Sequence, residues 1–214
     1  VASSKLRKAK ERAEVCRPYF TELHETLKEI ARENTDFSSV YAKESSNNKT
    51  CYVVIAGDRG LAGGYNSNVV KLITKDERFS TENTVIYAVG SKGRDSMARV
   101  GYEVAKDYSE AMNEPIYSDA TLIGKEVLSR FVKGEIGEIY LAYTIFKNTV
   151  VQIPTLTKLL PINAEDIVSE EEDISESPID KLTLMNYEPE PEEALNAIIP
   201  KSVSYTHLRA HETL

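Results

Sequence analysis

Ala56-Gly57-Asp58-Arg59-Gly60-Leu61-Ala62-Gly63-Gly64-Tyr65-Asn66-Ser67-Asn68 is the stretch that decides how this chain reads. An apolar run, Tyr52-Val53-Val54-Ile55, leads into it, and a helix-like segment, Val69-Val70-Lys71-Leu72-Ile73, follows. A strand that runs through a glycine-rich turn into a helix is where α/β proteins commonly hold phosphates, because amides at a helix N-terminus point at the anion. The residues here do not fit the nucleotide templates. A Walker A loop needs G-x-x-x-x-G-K-[ST], with the lysine reaching the outer phosphates. No lysine lies between Lys49 and Lys71. A dinucleotide turn needs G-x-G-x-x-G and an acidic residue about 20 residues further on. The glycines fall at 57, 60, 63 and 64, and Asp76 and Glu77 precede the second strand instead of ending it. The stretch therefore reads as a shaped turn. Gly63-Gly64 adopt a bend that side-chained residues resist, Asn66 or Asn68 caps the next helix, and Asp58 and Arg59 pair with each other or meet a partner protein.

Outward from this turn, strands are expected at Cys51–Ala56, Thr84–Val89 and Glu138–Thr144, and helices at Val69–Lys75, Lys92–Val100 and Asp119–Val132. In the last helix Ala120, Ile123, Val127, Leu128 and Phe131 share a face, with Ser118 as its N-cap. Strands alternating with helices predict an α/β fold: a Rossmann-like, mostly parallel sheet flanked by helices. A further extended run, Thr149 to Ile153, is expected to return as a hairpin.

Before this region lies a long helical pattern. Leu6, Ala9, Ala13, Cys16, Phe20, Leu23, Leu27 and Ile30 are spaced 3, 4, 3, 4, 3, 4, 3. A seam this narrow predicts a left-handed coiled coil with another helix, close-packed along its Ala/Cys half and bulkier along its Phe/Leu half. Thirty-odd residues would span roughly 50 Å at ~1.5 Å per residue. Pro18 should kink it. Lys5, Arg7, Lys8, Lys10 and Arg12 crowd its start, with Glu11 alone opposing them. They form a solvated face or a contact with an acidic protein surface. Residues 34–49 are polar and read as a loop.

Composition sets outer limits. The chain has 214 residues, 41% of them hydrophobic, no Trp and a formal charge of −8. That is enough for one domain with extensions, and the negative charge argues against general nucleic-acid binding. No apolar run reaches membrane-spanning length. Cys16 and Cys51 are expected as buried free thiols. The histidines are His24, His207 and His211. The last two have the i, i+4 spacing of zinc ligands but no convincing third ligand. Ser67 has no G-x-S-x-G context. No catalytic group, cofactor or metal site is expected. Between Glu165 and Glu193, twelve Asp/Glu face a single Lys181, the mark of a solvated segment. Tyr187-Glu188-Pro189-Glu190-Pro191 then opens a proline-led helix with acidic residues in its first turn.

Val1-Ala2-Ser3-Ser4-Lys5-Leu6-Arg7-Lys8-Ala9, Arg17-Pro18-Tyr19, the Asp58-to-Asn68 block, Gly90-Ser91-Lys92-Gly93-Arg94 and Tyr187-Glu188-Pro189 occur in one order over residues 1–200. In this combination the chain resembles the gamma subunit of F-type ATP synthase. Ala62 stands where that family often has Cys, a change between small residues. The resemblance implies a central-stalk rotor with no catalytic site or cofactor of its own, a non-catalytic subunit of a proton-transporting ATPase. N- and C-terminal helices would wind into an antiparallel shaft that turns inside the ring of alpha and beta subunits. The α/β domain would form a foot facing the epsilon subunit and the c ring. The resemblance puts Lys5, Arg7 and Lys8 near acidic beta-subunit loops, and Tyr187 and Glu188 near epsilon or the c ring. Asp58 and Arg59 count as further interface candidates. It also implies a peripheral position on the cytoplasmic face of a bacterial cell membrane.

The organisation expected is a shaft helix at 1–33, the α/β foot at 50–163, an acidic linker at 164–186, the start of the C-terminal helical region at 187–201 and a non-native tail at 202–214. On this reading the chain is a fragment lacking its start and its long C-terminal helix, and the seam of the first helix lies exposed, folds back or self-associates. A competing reading is an independent α/β nucleotide-binding enzyme with a coiled-coil extension, and a third is a coiled-coil adaptor. Calorimetry separates the leading reading from the enzyme. Titration of the isolated chain with ATP, ADP and NAD is expected to give no binding in the micromolar range, and a micromolar isotherm would favour the enzyme.

Overall fold

The computed structural model describes residues 7, 11, 18, 22, 23, 25, 26, 28–30, 39–60, 63–76, 80–109, 117–146, 151–162, 193 and 196–204. Its centre is β1 (Thr50–Ile55), whose six residues are all buried. β2 (Thr84–Val89) is equally buried. Such uninterrupted apolar strands belong in the middle of a parallel sheet covered on both faces. With β3 (Glu103–Asp107), β4 (Glu138–Phe146) and β5 (Gln152–Leu160) they form one five-stranded sheet in the order β3-β2-β1-β4-β5. The first four strands run parallel, and β5 returns antiparallel beside β4.

The two faces separate residue by residue. Tyr52, Val54, Ile86, Ala88, Tyr140 and Ala142 lie in one cluster with Val69, Val70 and Ile73 of α1 (Tyr65–Thr74) and Met97 of α2 (Ser91–Val100). Their neighbours Cys51, Val53, Ile55, Val85, Tyr87, Leu141 and Tyr143 face the other way. They pack with Ile123, Val127, Leu128 and Phe131 of α3 (Tyr117–Val132). That second cluster also takes in Ile30, from the N-terminal helical stretch, and Ile199 and Val203, from the C-terminal one. Right-handed crossovers explain the layout. The first two helices carry the chain from β1 out to β3 on one face, and α3 brings it back over the other face to set β4 beside β1.

The α/β class, the parallel core and the returning hairpin strand are as the sequence predicts. β5 runs on to Leu160, well past the expected Ile153. β3 escaped the sequence reading because this edge strand is polar, Glu-Val-Ala-Lys-Asp, with exposed positions at both ends. Two expected caps are corrected. Helix α1 begins at Tyr65, so Asn66 and Asn68 lie inside it and its cap position is Gly64, without a side-chain hydrogen bond. Helix α3 begins at Tyr117, which puts Ser118 inside it. The seam expectation is also revised: Ile30 is fully buried in the domain's own core, and Leu23 is half-buried. The described residues of this stretch are helical, but they do not display a coiled coil. Leu6, Ala9, Ala13, Cys16, Phe20 and Leu27 lie outside the described residues. The helix at the other end covers residues 196–204, with Ile199 and Val203 in the core. Cys51 is a free, buried thiol, as expected.

One close approach holds the sheet's upper rim. Gly90, between β2 and α2, has φ +102, and a Cβ there would sit 1.7 Å from the Ala56 carbonyl oxygen. Gly101 has nearly the same φ, +101, but open space around it. Gly101→Ala should therefore cost only the left-handed strain, about 1–2 kcal/mol. Gly90→Ala adds a collision with backbone and should cost more than about 3 kcal/mol. Urea unfolding of both variants checks this, and equal losses would show that the contact is not limiting.

Candidate functional site

The loop after β1 lies at the sheet's switch point, between the parallel strands β1 and β4, where the order of strand addition reverses and α/β proteins place ligands. Here the loop is occupied by its own side chains. The amide of Gly57 donates to Oδ1 of Asn66 at 2.7 Å, and Nδ2 of Asn66 donates to the carbonyl of Arg59 at 3.1 Å. One side chain from α1 thus clamps both limbs of the turn. Asp58 reaches across to the next helix: its Oδ1 accepts from the amide of Ser91, the first residue of α2, at 2.7 Å. The Ser91 hydroxyl donates back to the Asp58 carbonyl at 3.3 Å, and the Lys92 amide donates to the Gly57 carbonyl at 3.1 Å.

This decides the chemistry of the loop. The N-terminus of α2 favours an anion, and the Asp58 carboxylate already fills that position. The Gly57 amide, a second potential phosphate donor, is spent on Asn66. The glycine turn is a self-filled copy of a phosphate loop. Among the described residues, no group of three or more His, Cys, Asp or Glu is arranged to hold a metal ion.

Of the expected interface residues, the structure brings only Asp58 and Arg59 together, as neighbours in this loop. Of the two roles expected for Asp58 and Arg59, the local pair is not formed: Asp58 caps α2, and Arg59 is exposed. Arg7 is exposed and donates to Glu11 one turn away at 2.9 Å, a surface pair. Lys5, Lys8, Tyr187 and Glu188 lie outside the described residues, as do the three histidines.

The sequence reading missed two groupings on the α3 face. In the first, Glu126 accepts hydrogen bonds from Tyr87, at 3.2 Å, and from Tyr108, while Arg130 donates to the Tyr87 hydroxyl at 2.9 Å. Burial and the Glu126 carboxylate push the Tyr108 hydroxyl far above its ordinary pKa. Burial likewise raises the Cys51 thiol beneath this network. The second grouping joins the C-terminal helical stretch to the domain, where Ser39 Oγ donates to Asn196 Oδ1 at 2.8 Å. Gly124, a glycine in mid-helix where a packing reason should be sought, faces the same stretch: a Cβ there would lie 3.0 Å from Ser204 Oγ. On the opposite face Asp107 holds Arg94 at 2.7 Å. Burial alone would raise the Asp107 carboxyl, but hydrogen bonds from Ser109 and Arg94 together hold it below the usual range.

The chain is thus of the class of Rossmann-like α/β domains, with a self-filled loop and gathered against terminal helical stretches. The family model described as ATP synthase matches residues 1–211. The chain is 52% identical over 204 residues to the ATP synthase gamma chain of Lachnoclostridium phytofermentans, covering 95% of this chain and 69% of that one. It is 38% identical over 215 residues to the ATP synthase gamma chain, sodium ion specific, of Acetobacterium woodii, covering 96% and 71%. The chain belongs to the ATP synthase gamma-chain family, the central-stalk subunit of that machine. In fold it is similar to a chain in the cryo-EM structure of the Tetrahymena thermophila mitochondrial ATP synthase central stalk/c-ring. The TM-score is 0.70 at 20% identity, over 100% of this chain and 88% of that one. The alternative of an independent nucleotide-binding enzyme finds no support.

The loop's bonds are separable. Asp58→Ala should lose a helix cap, about 1 kcal/mol. Asn66→Ala, which strands the Gly57 amide and the Arg59 carbonyl, should lose about 2 kcal/mol. Asp58→Asn keeps an acceptor oxygen and should lose less than Asp58→Ala. Chemical denaturation of the three variants measures the order, and a neutral Asn66→Ala would refute the clamp.

Proposed function

We propose that this chain works as the rotor of its ATP synthase, turning within the ring of alpha and beta subunits and coupling ion flow through the c ring to ATP synthesis and hydrolysis at the beta subunits. The observation that carries the reading is the convergence on one sheet face of Ile30 from the first helical stretch with Ile199 and Val203 from the last, all buried against α3. Two terminal helices gathered on one face are what a shaft standing on a foot domain requires. A rotor changes an enzyme's state only through contacts that differ between orientations. The basic start of the chain, Lys5, Arg7 and Lys8, supplies charges suited to acidic loops of the beta subunits. Tyr187 and Glu188, with Asp58 and Arg59 on the domain, are the residues we assign toward epsilon and the c ring. The coupling ion is set by the c ring, and one relative carries the description sodium ion specific. We place the assembly on the cytoplasmic face of a bacterial membrane as a peripheral subunit. No helix among the described residues is long and apolar enough to cross a bilayer.

Affinity purification of the tagged chain from its own cells should recover alpha, beta and epsilon subunits in fixed ratio. Reversing Lys5, Arg7 and Lys8 to Glu should weaken the association with alpha and beta by about tenfold in a salt-dependent way, from three exposed pairs of ~0.5 kcal/mol each. Recovery of the chain without those subunits would overturn the assignment.

A further inference from the structure

Strand β3 is held to the sheet by unusual means. It is the one strand with no fully buried residue. Val104 and Ala105 are its apolar residues, and each packs only partly buried against one of the two core clusters. Its ladder with β2 shifts register between Ile86 and Tyr87, which interrupts the pairing. Ion pairs stand at its two ends, Lys49 with Glu103 at 3.8 Å and Arg94 with Asp107 at 2.7 Å, all with side chains open to solvent. Pairs of that kind contribute little. Apolar burial and strand pairing therefore leave β3 weakly attached.

What ties it down lies at its exit. The Tyr108 amide continues the ladder, donating to the Ala88 carbonyl at 2.8 Å, and the Tyr108 ring stacks on that of Tyr87 with 6.3 Å between centroids. The two hydroxyls then converge on one carboxylate. Tyr87 donates to Oε1 of Glu126 at 3.2 Å, and Tyr108 donates to Oε2. From β3 itself, Lys106 brings its Nζ to 3.7 Å from Oε1. Arg130, one turn along α3, donates to the Tyr87 hydroxyl at 2.9 Å and to Glu135 at 3.0 Å, which fixes the side of the group that faces away from β3. Hydrogen bonds to a charged acceptor are stronger than neutral ones. The helix that carries Glu126 does not need this network to stay in place, because Ile123, Val127, Leu128 and Phe131 anchor it in the core.

We propose that Glu126 is a latch, and that β3 with its Tyr108 exit is a strap that leaves the sheet as a unit while β1 and β4 stay folded. Stability is uneven within a domain, and the unit that opens first is the one with the fewest buried apolar contacts. Here that unit is fastened through one side chain on a helix that is itself firmly rooted. Opening the strap uncovers the outer edge of β2, a strand of six buried residues. An edge of that kind is open to pairing with an extended segment. The latch thus decides which margin the domain presents on this side, the charged one of β3 or the apolar one of β2. It belongs to the α/β domain alone and holds whatever the chain assembles with.

Amide hydrogen exchange on the full chain reads the opening strand by strand. Glu126→Ala is expected to accelerate exchange over residues 103–108 by roughly ten- to a hundredfold, the scale of losing one or two hydrogen bonds to a charged group, and to leave β1 and β4 near their original rates. Tyr108→Phe keeps the ring and removes one donor, so it should accelerate the same residues by less. Glu126→Gln keeps an acceptor oxygen and should fall between Glu126→Ala and the original chain. Adding Tyr108→Phe to Glu126→Ala should bring no further acceleration, since the bond it removes is already gone. Cys51 gives a second readout. Fully buried on β1, it should stay unreactive to a thiol reagent in every variant, with labelled peptides located by mass. Unchanged exchange over 103–108 in Glu126→Ala overturns the proposal. Equal acceleration across β1 and β4, or a reactive Cys51, would show general loosening of the domain and overturn it as well.

Discussion

The carbonyl oxygen of Ala56 stands where the side chain of residue 90 would begin, and the rest of the domain depends on that closeness. It draws the ends of β1 and β2 together, as the hydrogen bond from the Ala56 amide to the Val89 carbonyl at 2.9 Å also records. With the two ends so near, Asp58 reaches the first amide of α2 and Lys92 reaches back to Gly57. The loops after the two central strands become one interlocked unit. A loop built this way has its hydrogen bonds satisfied internally, so it offers shape and charge to a neighbour and little to a small anion.

From this rim the sheet distributes its two duties. One face is closed by α1 and α2, which belong wholly to the domain. The other is closed only in part by α3, and the remaining cover comes from the two ends of the chain. A residue at position 30 and others near 200 thus complete a core begun by strands at 50, 85 and 140. The domain and the terminal helices are one hydrophobic body, which is the physical condition for transmitting force between them.

The sequence made the interior of this body legible and its borders much less so. Continuous apolar runs at 51–56 and 84–89 announce central parallel strands without ambiguity, and the period of α3 exposes its buried face. β3 was invisible because an edge strand needs only a few half-buried residues, and Glu103, Lys106 and Asp107 look like a loop. Asn66 was legible as a hydrogen-bonding residue but not in its role. A capping side chain and a clamping one have the same chemistry, and only the start of α1 at Tyr65 tells them apart. The function was legible through a block of residues whose meaning is architectural, Asp58 to Asn68, and not through any reactive group. The bond between Ser39 and Asn196 could not be read, since the two lie 157 residues apart and both are ordinary.

The two border strands of the sheet, among the described residues, have a consequence for assembly. An unpaired strand edge recruits other strands, and a subunit of a larger complex is better served by edges that do not recruit copies of itself. β3 guards one border with Glu103, Lys106 and Asp107, its charges alternating in sign. β5 guards the other with Pro154, which has no N–H to offer, and with Lys158, held to Glu138 at 3.0 Å. Both margins of the sheet are finished in ways that discourage a like neighbour. Solitude, for this subunit, is written into the edges of its own sheet.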